Sequence, residues 1–309
     1  MALPMDRITA YAPGSASNLG SGFDCLGVAF TGKGDRVTAS LRGPSGVRVL
    51  AVSDPRIPID PSRNTAAIAA AAVLRRAESE AGLELAIAKG LPLAGGMGGS
   101  AASAVAGAVA ANAILRAGLS TDDLLQAALE AEAVVAGRHA DNVAPSLLGG
   151  AVLVLGLDPL RLSRVRVHSS LALALVSPSY EVETAKARAV LPASIVRADA
   201  VAQAAALGGL LLGLERGDPE LIRGSMADRI AEPARAPLYP GYPEARAAAF
   251  ETGALGVAVS GAGPTVLAVA PEPASSAVAA AMVAAYRRLG IEAAAHRARV
   301  DDQGARILS

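Results

Sequence analysis

Apolar residues recur with helical spacing over 64–81, 100–116, 121–136, 198–214, 219–230, 243–251 and 275–289. Shorter apolar runs rich in β-branched residues lie between them, at 8–12, 37–41, 47–52, 151–155, 171–176, 256–259, 265–270 and 293–300, and read as strands. Strands crowd the chain before residue 60, helices dominate its middle, and the end reads strand, turn, strand, helix, strand. That order predicts an α+β protein. The segment 156–168, with Pro159, several arginines and no clear period, is the predicted junction between two domains, 1–160 and 161–309. The run 101–115 is mostly alanine and is broken by Ser103 and Asn112. It is too short to span a bilayer and predicts a buried helix.

Composition narrows the functional classes. With 309 residues, 52% of them hydrophobic, the chain can bury two cores. Lys plus Arg and Asp plus Glu both total 28, so no global charge favours nucleic acid or an anionic membrane. The expected partners are small molecules or a second subunit. Cys25 is the sole cysteine and there are three histidines, which argues against a disulfide framework or a zinc site and for a cytoplasmic location. The opening residues MALPMDRITA lack the basic start and apolar core of a signal peptide, so no targeting segment is expected.

Four stretches carry candidate chemistry. In LPLAGGMGGSAAS, residues 91–103, Gly95, Gly96, Gly98 and Gly99 lack Cβ atoms, so backbone amides can crowd around an anion. Ser100 then opens a helix whose dipole favours negative charge. No Lys-Ser or Lys-Thr pair follows, and the spacing is not that of a dinucleotide fingerprint, so another kind of nucleotide site is implied; a flexible connection is the alternative. APGSASNLGSGFDCLG, residues 12–27, sets Asn18 and Asp24 in a glycine-rich turn, with Asp24 either facing inward or capping the next turn. On the third helix Glu132 falls in the apolar stripe, whereas Glu130 shares a face with Gln126 and Asp123. An inward carboxylate needs a cation, either Mg²⁺ or an arginine. His139 precedes Asp141 and Asn142 in a predicted turn ending at Pro145, and is either a core histidine or a ligand contact. No G-x-S-x-G elbow accompanies it, which weakens a hydrolase triad. VSGAGPT, residues 259–265, reads alone as a hairpin turn.

Together these residues resemble the GHMP kinase superfamily. All three of its motifs occur in order: APGSASNLGSGFD, the run from Pro92 to Ala102, and SGAGPT. Within it the chain is most similar to the homoserine kinase branch, through NLGSGFD, HADNVAP at 139–145, Ser177-Pro178 through Ala187-Arg188, and Glu232-Pro233 through Arg235 to Pro240-Gly241. Gly99 departs from the family's usual first serine of a Ser-Ser pair. The resemblance implies two domains, the first ribosomal-protein-like with a left-handed β-α-β unit and the second ferredoxin-like, with the active site between them. It implies that Pro92, Leu93, Ala94, Gly95, Gly96, Met97, Gly98, Gly99, Ser100, Ala101 and Ala102 bind ATP, with Asn64 near the nucleoside. It further implies that Ser100 and Glu132 bind Mg²⁺, and that Asn18, Asp24, His139, Asn142, Arg188 and Arg235 contact homoserine. Asp24, Ser100 and Glu132 are the expected catalytic residues, in a phosphorylation of homoserine leading toward threonine. Residues 12–27 contain no lysine, unlike the mevalonate kinase branch, so Asp24 takes a positioning role and the base stays open. A homodimer is expected, as is another small-molecule kinase or a catalytically silent relative as the competing reading.

Overall fold

In a computed structural model of the chain, residues 6–135 and 137–308 are described. Ala136, at the end of a predicted helix, and residues 1–5 of the opening stretch lie outside them. The first lobe begins with β1 (Arg7–Asn18), β2 (Gly22–Leu41), β3 (Gly46–Val52), α1 (Thr65–Arg76) and β4 (Gly82–Ala88). It continues through α2 (Gly99–Leu115), α3 (Thr121–Val135), α4 (Ala140–Leu148), β5 (Ala151–Leu157) and β6 (Leu160–Val165). The second lobe contains β7 (Leu171–Pro178), α5 (Thr184–Ala189), α6 (Arg197–Arg216), α7 (Pro219–Ser225), α8 (Ala231–Arg235), α9 (Tyr242–Glu251), β8 (Gly256–Val259), β9 (Val266–Pro271), α10 (Ser275–Arg288) and β10 (Ala293–Ala298). Last comes β11 (Arg306–Leu308), which returns to the first lobe and pairs with β1.

The first sheet has the order β11-β1-β2-β4-β3, with β5 joined to β2 and β6 to β5. β2 is long enough to serve two neighbours along its length, its late half pairing with β4 and its early half with β5. β3 and β4 run parallel, which requires the crossover that α1 supplies. The second sheet has the order β10-β7-β9-β8 and is antiparallel throughout. With helices after β7 and β9, this is the β-α-β-β-α-β ferredoxin-like arrangement.

α2 has no polar face, and its buried positions run all round the helix from Ala101 to Ile114. A helix apolar on every side belongs in the interior, and it packs between the sheet strands β1 and β2 and helices α1, α3 and α4. β7 is buried on both faces. Leu171, Leu173 and Leu175 join the first core, while Ala174 and Val176 join the second.

Three expectations need amendment. The segment 156–168 is not an irregular junction, because β6 pairs with β5 in a hairpin across it. The division at 160/161 therefore meets the first residue of β6, and residues 306–308 rejoin the first sheet. The predicted turn at 139–145 is the helix α4, which carries Pro145 inside it. Finally, 101–115 is not the only apolar run to weigh against a bilayer: α6 is long and apolar enough to cross a membrane by length and composition alone.

Candidate active site

A cavity of about 370 Å³ opens between the lobes. That volume suits a small-molecule ligand. Its floor is the glycine turn leading into α2. Ala94, Gly96 and Gly98 all have positive φ, at 49°, 69° and 67°, so alternate residues turn back and the amides collect on one side. Glycine is required at two of these positions. A Cβ on Gly98 would sit 2.1 Å from Ser15 Oγ, and one on Gly96 would sit 2.5 Å from the Ser260 carbonyl oxygen. Gly98 caps α2 with no side-chain hydrogen bond, leaving the helix's first amides for a ligand.

The C-terminal loop predicted as a plain hairpin is a clasp on this turn. Ser260 Oγ donates to the Gly96 carbonyl at 2.6 Å, and Thr265 Oγ1 donates to that of Gly95. Asn18 Nδ2 reaches across to the Gly261 carbonyl at 2.9 Å. All three superfamily motifs thus meet at one point.

Behind the turn lies a buried ion pair that sequence reasoning missed. Lys89 Nζ contacts Asp35 Oδ2 and donates to the Gly99 carbonyl at 2.7 Å and Ser103 Oγ at 3.1 Å. Asp35 also accepts from Ser103 Oγ at 2.7 Å and from the Gly90 amide at 3.1 Å. The only signal for it is a lysine closing a strand just before the glycines.

Glu132 faces inward, as its helical position predicts, and is 6% exposed. Among the described residues no arginine meets it: its Oε1 accepts from Ser100 Oγ at 2.8 Å, and its Oε2 is buried with no hydrogen-bond partner among them. Burial pushes its carboxyl up to about 7, against the lowering by Ser100. Glu130 instead pairs with Arg75 and Arg76 at 2.5 Å on the outside. A hydroxyl beside a half-satisfied buried carboxylate, next to a phosphate cradle, fits Mg²⁺, a hard cation that takes oxygen ligands.

At the opposite end, Arg188 grips Asp24 with both branches of its guanidinium, at 3.0 and 3.1 Å. Asp24 faces the cavity with positive φ, its backbone N–H donating a hydrogen bond to Asn18 Oδ1 at 3.1 Å. His139 Nδ1 lies 3.9 Å from Asp24, and burial and then Arg188 hold the imidazole below its usual pKa. Arg235 lies under the Phe23 ring, 5.2 Å from its centre, and donates to the Ala187 and Gly261 carbonyls at 2.8 and 3.1 Å. Asn142 bridges Ser15 and Ser17 at 3.0 and 2.9 Å.

The expected site residues divide by what lines the cavity. Asn18, Asp24, Asn64, Pro92 to Gly96, Gly98 to Ser100, Glu132, His139, Asn142, Arg188 and Arg235 do so. Met97, Ala101 and Ala102 do not: their side chains are buried in the first core, where the helix they begin must pack. Asn64 reaches the cavity wall, but its amide caps α1 through Ala67 N at 3.2 Å and donates to the Pro58 carbonyl at 2.8 Å. Arg56, Lys89, Asp141 and Thr184 are lining residues that were not anticipated.

A fold that seats a glycine cradle, a buried acid and a clasp between two such lobes defines a class of small-molecule phosphotransferases. The family models for the GHMP kinases N terminal domain and the GHMP kinases C terminal match residues 64–150 and 210–288, and the chain belongs to the GHMP kinase family. It is 40% identical over 294 residues to the homoserine kinase of Halorubrum lacusprofundi, covering 95% of this chain and 97% of the relative. The homoserine kinase of Xanthomonas campestris pv. campestris is 40% identical over 304 residues, covering 97% and 94%. A crystal structure of homoserine kinase from Cytophaga hutchinsonii matches 100% of this chain and 99% of its own at a TM-score of 0.95 and 38% identity.

Proposed function

We propose that this chain is an ATP-dependent homoserine kinase, transferring the γ-phosphoryl group to the side-chain hydroxyl of L-homoserine. The observation that carries the reading is a single cavity with an amide cradle at one end and a matched pair of opposite charges, Asp24 and Arg188, at the other. The cradle and the α2 dipole hold the phosphates, in a reaction that demands positioning and charge neutralisation more than a strong nucleophile. Ser100 and Glu132 hold Mg²⁺, which when bound neutralises phosphate charge. The Asp24–Arg188 pair is an internal copy of the amino acid's own charges. A zwitterionic ligand gives its ammonium to Asp24 and its carboxylate to Arg188, so each residue exchanges one partner for another and neither is left uncompensated. A ligand with one charge would strand one of them. The reading is tested by ADP release from Mg-ATP with homoserine beside serine, threonine, shikimate and mevalonate. Preference for shikimate or mevalonate would overturn it.

The Asp24→Asn variant is expected to retain ATP binding while losing most homoserine turnover, with kcat/KM down about 10- to 100-fold, the worth of one hydrogen bond to a charged group. Near-normal turnover would exclude the positioning role.

A second copy of the chain is the proposed partner, and the cytoplasm the proposed compartment. Val201, Ala204, Gly208 and Leu212 form an exposed stripe along α6 at helical spacing, with exposed Arg197 and Glu215 at its ends. Each end charge is of the sign that the helix dipole disfavours. Antiparallel pairing about a two-fold axis sets Arg197 against Glu215 of the partner helix, satisfying both charges while the apolar middle is covered. Leu212→Arg is expected to halve the mass seen by light scattering after gel filtration. An unchanged mass, or a wild-type monomer, would eliminate this face.

A further inference from the structure

The residues that α6 buries are Gln203, Leu210, Gly213 and Leu214, and Gln203 is 7% exposed. Packing an apolar helix does not call for an amide among leucines, and a buried amide is costly unless its hydrogen bonds are made. Those of Gln203 go to two other parts of the chain. Its Nε2 donates to the Ser21 carbonyl at 3.1 Å and to Asp228 Oδ1 at 3.3 Å, and its Oε1 accepts from the Arg229 amide at 2.9 Å. Ser21, 182 positions earlier, lies in the turn between β1 and β2, whereas Asp228 and Arg229 lie in the loop between α7 and α8.

Each of these segments carries one wall of the amino-acid end of the cavity. The turn joins Asn18 to Asp24, which are themselves linked by the Asp24 amide. In the loop, Asp228 gathers the free amides at the start of α8: Oδ1 accepts from Ile230 at 2.7 Å and Ala231 at 3.0 Å, and Oδ2 from Glu232 at 3.0 Å. α8 ends in Arg235, which is 4% exposed and lines the cavity together with Asp24. Turn and loop press directly on each other. Gly20 has a φ of 74°, and a Cβ on it would sit 1.8 Å from the Met226 carbonyl oxygen. Gln203 does not itself line the cavity, yet it bonds both walls where they meet.

We propose that Gln203 is a positioning residue for the amino-acid substrate, its amide fixing the span between Asp24 and Arg235 into which that substrate fits. This rests on the kinase reading above. Without the amide, the turn and α8 keep their internal bonds but lose the group that joins them. The nucleotide end is held separately, by Ser260 and Thr265 on the glycine turn.

Gln203→Met keeps the length of the side chain and removes its hydrogen bonds. The dissociation constant for homoserine, read by calorimetric titration, is expected to rise about 10- to 100-fold, as for a misplaced hydrogen bond to a charged group, and KM for homoserine to rise with it. Turnover at saturating homoserine should change little, the mark of lost ground-state binding, and Mg-ATP affinity should be unchanged. Leu211→Ala, which loosens the same helix where it packs on the first core, should lower the melting temperature without moving homoserine binding. If Gln203→Met does not fold, Gln203→Asn, whose amide is set one carbon back from Ser21, carries the same expectation. The proposal is overturned if the variant binds homoserine as wild type does, if Mg-ATP affinity falls in proportion, if Leu211→Ala weakens homoserine binding as much, or if both Gln203 variants fail to fold. If wild type phosphorylates a different alcohol, the homoserine assignment fails separately, and the same comparison made with that alcohol decides the role of Gln203.

Discussion

Glu132→Gln is expected to reduce kcat/KM by about 10³-fold, because placing a cation against transferring phosphate supplies several kcal/mol and each 1.4 kcal/mol is about tenfold. The loss should be mirrored in Mg²⁺-dependent nucleotide binding measured directly. Glu130→Ala, two residues away, breaks only the outer pairs with Arg75 and Arg76 and should cost at most about 1 kcal/mol of stability and no activity. Equal effects from the two variants would show that the helix faces had been misassigned. A second readout has the opposite sign. The folded-state carboxyl of Glu132 is raised from 4.5 to about 7, so the folded ligand-free protein holds a proton that the unfolded chain releases. Stability from that proton is present at low pH and is lost as pH rises from about 4.5 to 7. Glutamine, neutral at every pH, should remove this dependence and leave the inactive variant at least as stable as wild type at pH 8. A chemical-denaturation series across that range, without metal, measures it.

Lys89→Met is expected to be the most destabilising single change in the cradle. It leaves Asp35, which has 0% exposure, charged and without its cation. Stranding a buried charge in this way costs about 3–5 kcal/mol, against a total stability of roughly 5–15 kcal/mol. The melting temperature should fall by on the order of 10 °C. Asp35→Leu combined with Lys89→Met removes both charges and should recover most of that loss. ATP affinity should not recover with it, since the Gly99 carbonyl and Ser103 still lack the ammonium that fixes the first turn of α2. A single variant as stable as wild type would refute the account of the pair, and a double variant with full ATP affinity would refute its role in holding the turn.

What the sequence disclosed follows from which physical signals are local. The cradle was legible because glycine density and a following alanine-rich helix both act within a dozen residues. Glu132 was separated from Glu130 by helical spacing alone, and the structure places one inside and the other in surface ion pairs. Local capping is of the same kind, the Asp123 carboxylate accepting from the Ser120 amide at 3.0 Å at the start of α3. Long-range features were hidden. Nothing near Lys89 indicates that Asp35, fifty-four positions earlier, will meet it. The loop at 259–265 looked like an ordinary hairpin because its partners, Gly95 and Gly96, are over 160 positions away. Pro145 concealed α4, since a proline inside a helix removes a hydrogen bond and usually signals its end. β4 and β6 escaped because alternation over six or seven residues, with arginines or glutamate on the open face, resembles loop composition.

The pairing of Arg306–Leu308 with β1 has a bearing on biosynthesis. Until those residues emerge from the ribosome, the outer edge of β1 offers unpaired backbone groups to any other strand. The lobe made first is thus sealed last, by three residues that follow the whole second lobe. Nascent chains stalled short of residue 306 should stick to one another through that seam, even with the cradle already built.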